Sequence, residues 1–213
     1  MKLIKPYFGN FVEIEVISDK KISGLLIDSG PDYIVMNKEN KYYYLPVNHV
    51  VLIESTREPQ YSVSVSPDWK ADGKPFKTLL QLAKNGLIEL YVTGHLPLYG
   101  QIVDVMDDYI VFNAVRHGIS YIPIFHIKWV SPAFDSGFMP DKKPAPEASA
   151  PFKATWREQL ETCLGHIVVI DLGLRQNQSG CLKTIENNMV EIVTPDNISR
   201  CWNITHIKSI HFP

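Results

Sequence analysis

Three histidines, His49, His126 and His206, recur at one place in a repeated pattern. Imidazole is the commonest metal ligand and the commonest proton shuttle near neutral pH. Each histidine stands alone, however, with no carboxylate or second histidine at ligand spacing, so no coordination set is predicted. The expected role is structural, with each ring beginning the last strand of its repeat and bonding a nearby carbonyl. The three thiols, Cys163, Cys181 and Cys201, all fall in the last third of the chain with no CxxC spacing. They read as buried or oxidation-prone cysteines rather than as a zinc site or a disulfide framework. The run Tyr42-Tyr43-Tyr44, with Tyr121 and Trp202, offers aromatic surface. Aromatic rings stack on bases, but they are also favoured in strands and at protein interfaces. These five residues are the candidate interaction surface, with protein rather than nucleic acid as the expected partner.

No nucleophile elbow, P-loop, HExxH or dinucleotide fingerprint occurs, so no enzymatic activity and no cofactor are predicted. Asp32-Tyr33-Ile34-Val35-Met36-Asn37 is distantly similar to the Asp-x-x-Met-Asn loop with which Sm proteins hold uridine. Asn113 holds the last place in the second repeat, but Val193 does in the third, and Pro46-Val47-Asn48-His49 replaces the companion Arg-Gly or Lys-Gly. An Sm-like RNA-binding regulator is therefore the alternative function. It would need a basic groove drawn from Lys38, Lys41, Arg116, Lys128, Lys183, Arg200 and Lys208. With 21 basic and 23 acidic residues the net charge is −2, which gives no electrostatic footprint for nucleic acid or an anionic membrane.

The elements that carry these side chains repeat three times. Gly24, Gly100 and Gly180 are 76 and 80 residues apart, and the step from each to Tyr33, Tyr109 or Met189 is nine residues. A further 16 or 17 residues reach the histidine. Ahead of each glycine lies an alternating or apolar strand, as in Val12, Ile14 and Val16 against Glu13 and Glu15. The glycine is expected to open the second strand, at a bulge, a bend or a close backbone approach. The Tyr-Ile-Val strand, a short aromatic strand and a last strand after the histidine complete five. Five short strands in so small a space predict a bent barrel of the SH3-like or Sm-like kind. Helices are expected in front of the second and third repeats. Phe76, Leu79, Leu80 and Ala83 make one apolar stripe, with Asn85-Gly86 as its stop. Trp156, Leu160, Cys163 and Leu164 make the other, behind a Thr155–Glu158 capping box and ended by Gly165. A helix before five strands favours the Sm-like order.

The predicted fold is thus all-β with short helices: three tandem five-stranded barrels, repeats 2 and 3 preceded by a helix. The predicted boundaries are 1–56 for the first barrel, 57–75 for a linker, 76–131 for the second barrel, 132–153 for a Pro/Ala-rich linker and 154–213 for the third. No stretch approaches 18 consecutive apolar residues and the N-terminus lacks a secretory apolar region, so no membrane span or export is predicted.

Asp-Tyr-Ile-Val, Tyr-Tyr-Leu-Pro-Val-Asn-His-Val and Ile-Pro-Ile-Phe-His-Ile-Lys, with His206-Ile207-Lys208-Ser209-Ile210 near the end, resemble the spore coat protein B family of bacilli. Members carry three such segments, each closing on a His-Val/Ile-Lys-Ser-Ile type phrase. His126-Ile127-Lys128-Trp129-Val130 and His49-Val50-Val51-Leu52-Ile53 match that phrase in part. The resemblance implies a non-enzymatic structural protein made in the mother-cell cytoplasm and laid into the endospore coat. Its partners would be other coat proteins and further copies of itself. The family's Ser/Lys/Arg-rich tail is not present before Pro213, so phosphorylation and assembly through that tail are not carried over.

Overall fold

The computed structural model describes residues 2–17, 20–56, 69–70, 72–84, 86–133, 151–175 and 178–213. Most of both expected linkers (57–75 and 132–153) and Asn85 of the first helix stop lie outside the described residues. The protein is all-β with short helices. The first repeat forms β1 (Phe11–Val16), β2 (Lys20–Ser29), β3 (Tyr33–Lys38), β4 (Lys41–Pro46) and β5 (Val50–Ser55), behind a single 3-10 turn at Lys5–Tyr7. The second forms α1 (Phe76–Leu82), β6 (Leu87–Tyr91), β7 (Leu98–Val105), β8 (Tyr109–Ala114), β9 (Gly118–Pro123) and β10 (Trp129–Pro132). The third forms α2 (Trp156–Glu161), β11 (Ile167–Ile170), β12 (Ser179–Glu186), β13 (Met189–Val193), β14 (Ser199–Asn203) and β15 (Ile210–His211). No helix among the described residues is long and apolar enough to cross a membrane.

The helices follow their local signals. Phe76, Leu79, Leu80 and Ala83 are all buried. In α2 the Thr155 hydroxyl accepts from the Glu158 amide and the Glu158 carboxylate accepts from the Thr155 amide, the reciprocal pair that satisfies two orphan donors. Trp156, Leu160 and Cys163 are buried, whereas Leu164, beyond the end of the helix, is 41% exposed. Burial also pushes the Cys163 thiol up from its ordinary pKa, so it behaves as a small apolar side chain.

The strands are longer than expected in one respect. Gly24, Gly100 and Gly180 lie within β2, β7 and β12 instead of opening them in every case. Each of these strands runs on through a bulge three residues after its glycine, at Ile27, Val103 and Lys183, where the register with the next strand shifts. The bend sits inside one continuous strand, since a bulge bends its strand and raises the local twist without ending it. The glycine itself answers a close approach. A Cβ at Gly24, Gly100 or Gly180 would collide with the carbonyl oxygen of Asn37, Asn113 or Val193 on the following strand.

Backbone contacts gather the chain into two compact units whose boundaries cut across the second repeat. One unit takes Met1–Tyr91 and Ile127–Lys142, the other Val92–His126 and Lys143–Pro213. In the first the strand order is β6-β10-β4-β3-β2-β1-β5, and in the second β14-β13-β12-β11-β15-β9-β8-β7. Every pairing described within them is antiparallel. The first core is built on Val12, Ile14, Leu26, Ile34, Met36 and Leu45 and includes Tyr91 and Trp129 from the second repeat. The second is built on Trp156, Leu160, Val168, Ile170, Leu182 and Ile192 and includes Tyr109, Val111 and Tyr121. Each core therefore joins one whole repeat to part of the second. That shared burial suits repeats too small to hold a sufficient core alone.

Candidate interaction surface

The working feature of both units is one junction, made twice. In the first unit the fourth strand of repeat 1 pairs with the fifth strand of repeat 2, with Tyr44 opposite Val130. In the second the fourth strand of repeat 2 pairs with the fifth of repeat 3, with Tyr121 opposite Ile210. Counted from the repeated histidines the register is the same: a residue five before one histidine faces a residue four after the next. Tyr44, Val130 and Ile210 are at most 1% exposed and Tyr121 is 8% exposed.

A second contact accompanies each strand pair. Asp32 Oδ1 accepts a hydrogen bond from the Phe76 amide at 2.8 Å, and Asp108 Oδ1 accepts one from the Trp156 amide at 2.6 Å. Both amides belong to the first helical residue, where no intrahelical acceptor exists, and a carboxylate there also complements the helix dipole. The next residue, Tyr33 or Tyr109, is fully buried and sets its ring against Phe76 (5.8 Å) or Trp156 (6.0 Å). The Tyr109 hydroxyl lies 2.7 Å from the Lys153 carbonyl and 3.0 Å from Gln159 Oε1, either of which accepts its proton. Tyr33 Oη is buried with no hydrogen-bond partner among the described residues. Burial, with Asp28 and Asp32 nearby, pushes the Tyr33 phenol up to about 12, and burial raises the Tyr109 phenol further. The residues that precede each helix also cover the fourth-strand tyrosine. Tyr44 Oη donates to the Trp69 carbonyl and accepts from its amide (2.8 and 3.1 Å), and Tyr121 meets Phe152 edge-on at 6.3 Å.

The third repeat departs from this arrangement. Asn188 and Met189 occupy the Asp-Tyr places, with Met189 39% exposed, and Cys201 stands exposed at the place of Tyr44 and Tyr121. The Asp-Tyr pair was visible in the sequence as a repeated motif, but its role as a helix anchor was not, because the anchored helix lies more than forty residues downstream.

Of the five residues expected to form an interaction surface, Tyr42, Tyr44 and Tyr121 are buried inside their units. Tyr43 is half-buried, edge-on to Trp129 at 6.4 Å with Lys41 Nζ 5.4 Å from its ring centre, and Trp202 packs partly buried on the second core. Tyr43, Tyr44 and Tyr121 thus lie at repeat-to-repeat contacts within the chain. The adjoining Glu89 is buried too, and its partner Lys41 is half-buried. Glu89 accepts from Lys41 and, at 3.1 Å, from Trp129 Nε1, so its carboxylate is satisfied on both oxygens.

The histidines do not converge. His49 is buried in the first unit, His206 is exposed in the second, and His126 Nε2 donates to the Thr205 carbonyl at 2.9 Å. No cluster of His, Cys, Asp and Glu among the described residues is arranged to hold a metal. Four of the cations proposed for an RNA groove are engaged elsewhere: Lys41 with Glu89, Lys183 with Glu191, Arg200 with Asp196, and Lys128 over the Tyr91 ring at 5.1 Å.

A different histidine pair has a consequence for stability. His117 and His211 lie with ring centres 5.0 Å apart, and burial holds both below the ordinary imidazole pKa. Arg116 adds to the effect on His117, and His117 to that on His211. A depressed histidine leaves the native state with fewer bound protons than the unfolded chain below about pH 6.5. Its stabilising contribution is whole above that pH and lost as pH falls through the native pKa. The second unit should therefore melt progressively lower from pH 7 to pH 5, and His211→Gln should flatten that slope in thermal melts followed by circular dichroism.

Two family models match parts of the chain: residues 1–54 match a domain of unknown function (DUF2642), and residues 155–210 match the third domain of YwrJ. The chain is also similar over its whole length to an uncharacterised protein of Bacillus subtilis (strain 168), YwrJ, with 28% identity and complete coverage of both chains.

Proposed function

We propose that the chain is a non-enzymatic structural protein of the endospore coat, built from three tandem Sm-like five-stranded barrels and acting through protein–protein contacts. The observation that carries this reading is the twice-used junction: fourth strand to fifth strand, in one register, with buried tyrosines at its centre. A chain whose own repeats associate by strand addition is organised around association, and strand addition is a general mode of protein recognition. Five strands in the order fifth-first-second-third-fourth, bent by a bulge in the second, support the barrel reading for repeats 1 and 3. The spore-coat part of the proposal is supported by the His-Ile-Lys phrases that close repeats 2 and 3 and by the partial match His49-Val50 in repeat 1.

The test is location. An immunoblot of mature-spore coat extract beside vegetative cytoplasm of the source organism should place the band in the coat extract alone. A band confined to growing cells would overturn the coat role and return attention to an RNA-binding Sm-like protein. That alternative would have to show oligo-uridine binding that weakens steeply with salt.

A further inference from the structure

The two internal junctions leave one strand of each kind at an open edge among the described residues. β5, the fifth strand of repeat 1, ends the order of the first unit, and β14, the fourth strand of repeat 3, ends one side of the second. We infer that these two edges are the halves of a third junction, formed between two copies of this chain in the same register. The inference extends the assembly reading above by naming its partner, although it concerns the purified chain and does not depend on the coat.

The register can be carried over residue by residue. Four residues after His49 is Ile53, and five before His206 is Cys201. Ile53 pairs with Ile14 on β1 just as Val130 pairs with Leu90 and Ile210 with Ile170, so Ile53 holds the same place by a second criterion. The residues one step further from the pairing centre, His211 opposite Ser120 in the second unit, become Glu54 opposite Arg200. That is an opposite-charge pair directly across two strands, an arrangement that favours the pairing. One step the other way sets Leu52, 44% exposed, opposite Trp202. An open strand edge is usually protected by lysine, proline or a cover. β5 contains neither residue, and Val51 and Leu52 stand exposed on it.

The contact between copies must be weaker than the internal ones. Met189 offers no phenol for a helix to pack on, and repeat 1 is preceded by one 3-10 turn where α1 and α2 precede the others. It is therefore a strand-only, head-to-tail contact, and such heterologous contacts either close on themselves or extend with concentration.

The pairing is tested in trans by exchanging charges. Glu54→Lys and Arg200→Glu are each expected to weaken self-association in sedimentation velocity roughly three- to tenfold, because like charges then face each other. Mixing the two variants sets the new lysine of one copy opposite the new glutamate of the other and should recover association. Independently, Ile53→Cys mixed with wild type under mild oxidation should give a disulfide-linked pair through Cys201. That link should be lost with Cys201→Ser and retained with Cys181→Ser. A wild-type chain that stays monomeric at high micromolar concentration, no recovery on mixing, or a link through Cys181 would each overturn the inference. None of these results would move the chain out of the coat extract, so the two proposals fail separately.

Discussion

Alanine at Gly100 is expected to destabilise the second unit by about 3 kcal/mol, the upper end of the usual overpacking range. The added methyl would fall on the Asn113 carbonyl, with the Phe112 ring behind it at 2.9 Å. A backbone carbonyl held in the β7–β8 ladder cannot swing aside as the tip of a side chain can, so the strands must part. Gly24→Ala and Gly180→Ala meet the same obstacle in Asn37 and Val193 and should behave alike in their own units. Gly86→Ala is the control: its methyl would sit at an ordinary 3.5 Å from the Ala83 carbonyl, and the change should be close to neutral. Urea unfolding followed by tryptophan fluorescence decides the matter. Trp69 and Trp129 report on the first unit, Trp156 and Trp202 on the second. Equal stability of Gly100→Ala and Gly86→Ala would refute the close-approach account.

The other large effect is expected at Tyr109. Truncation to alanine removes a fully buried ring from the second core and should cost about 3–5 kcal/mol. Phenylalanine separates the ring from its hydroxyl. Tyr109→Phe strands the Lys153 carbonyl or Gln159, which also accepts from the Lys153 amide, and should cost about 1–2 kcal/mol. Tyr33→Phe should be neutral or stabilising, since Tyr33 Oη is buried with no partner among the described residues. The same substitution at two equivalent places is thus expected to destabilise at Tyr109 and not at Tyr33. Denaturation midpoints for the two phenylalanine variants, measured in their respective units, test this directly.

What could be read from the sequence was local. The Val12-Ile14-Val16 alternation, the Phe76 stripe and the Thr155–Glu158 box each involve residues within about two helical turns, and each has its expected place. The recurring glycines were expected to mark a bulge, a bend or a close approach, and each of them meets a close approach. The bulges fall three residues beyond the glycines, at Ile27, Val103 and Lys183, and that offset was not legible because a bulge is placed by the partner strand. The junctions were hidden for a related reason. Tyr44 and Tyr121 look like display residues until Val130 and Ile210 arrive from far along the chain to cover them. Asp32 looked like part of a uridine loop, and only the downstream amides of Phe76 and Trp156 show what Asp32 and Asp108 hold.

The β4–β10 pairing also sets a timetable. During synthesis the first five strands emerge together, yet the outer edge of β4 has no neighbour until the ribosome has delivered the last strand of the second repeat. The growing chain carries an open strand edge beside Tyr44 throughout that interval, and transiently open edges are where nascent chains stick to one another. β9 (Gly118–Pro123) waits in the same way for β15 (Ile210–His211), far downstream. Completion of the following repeat, rather than of its own, is the moment at which each of these fourth-strand edges is covered.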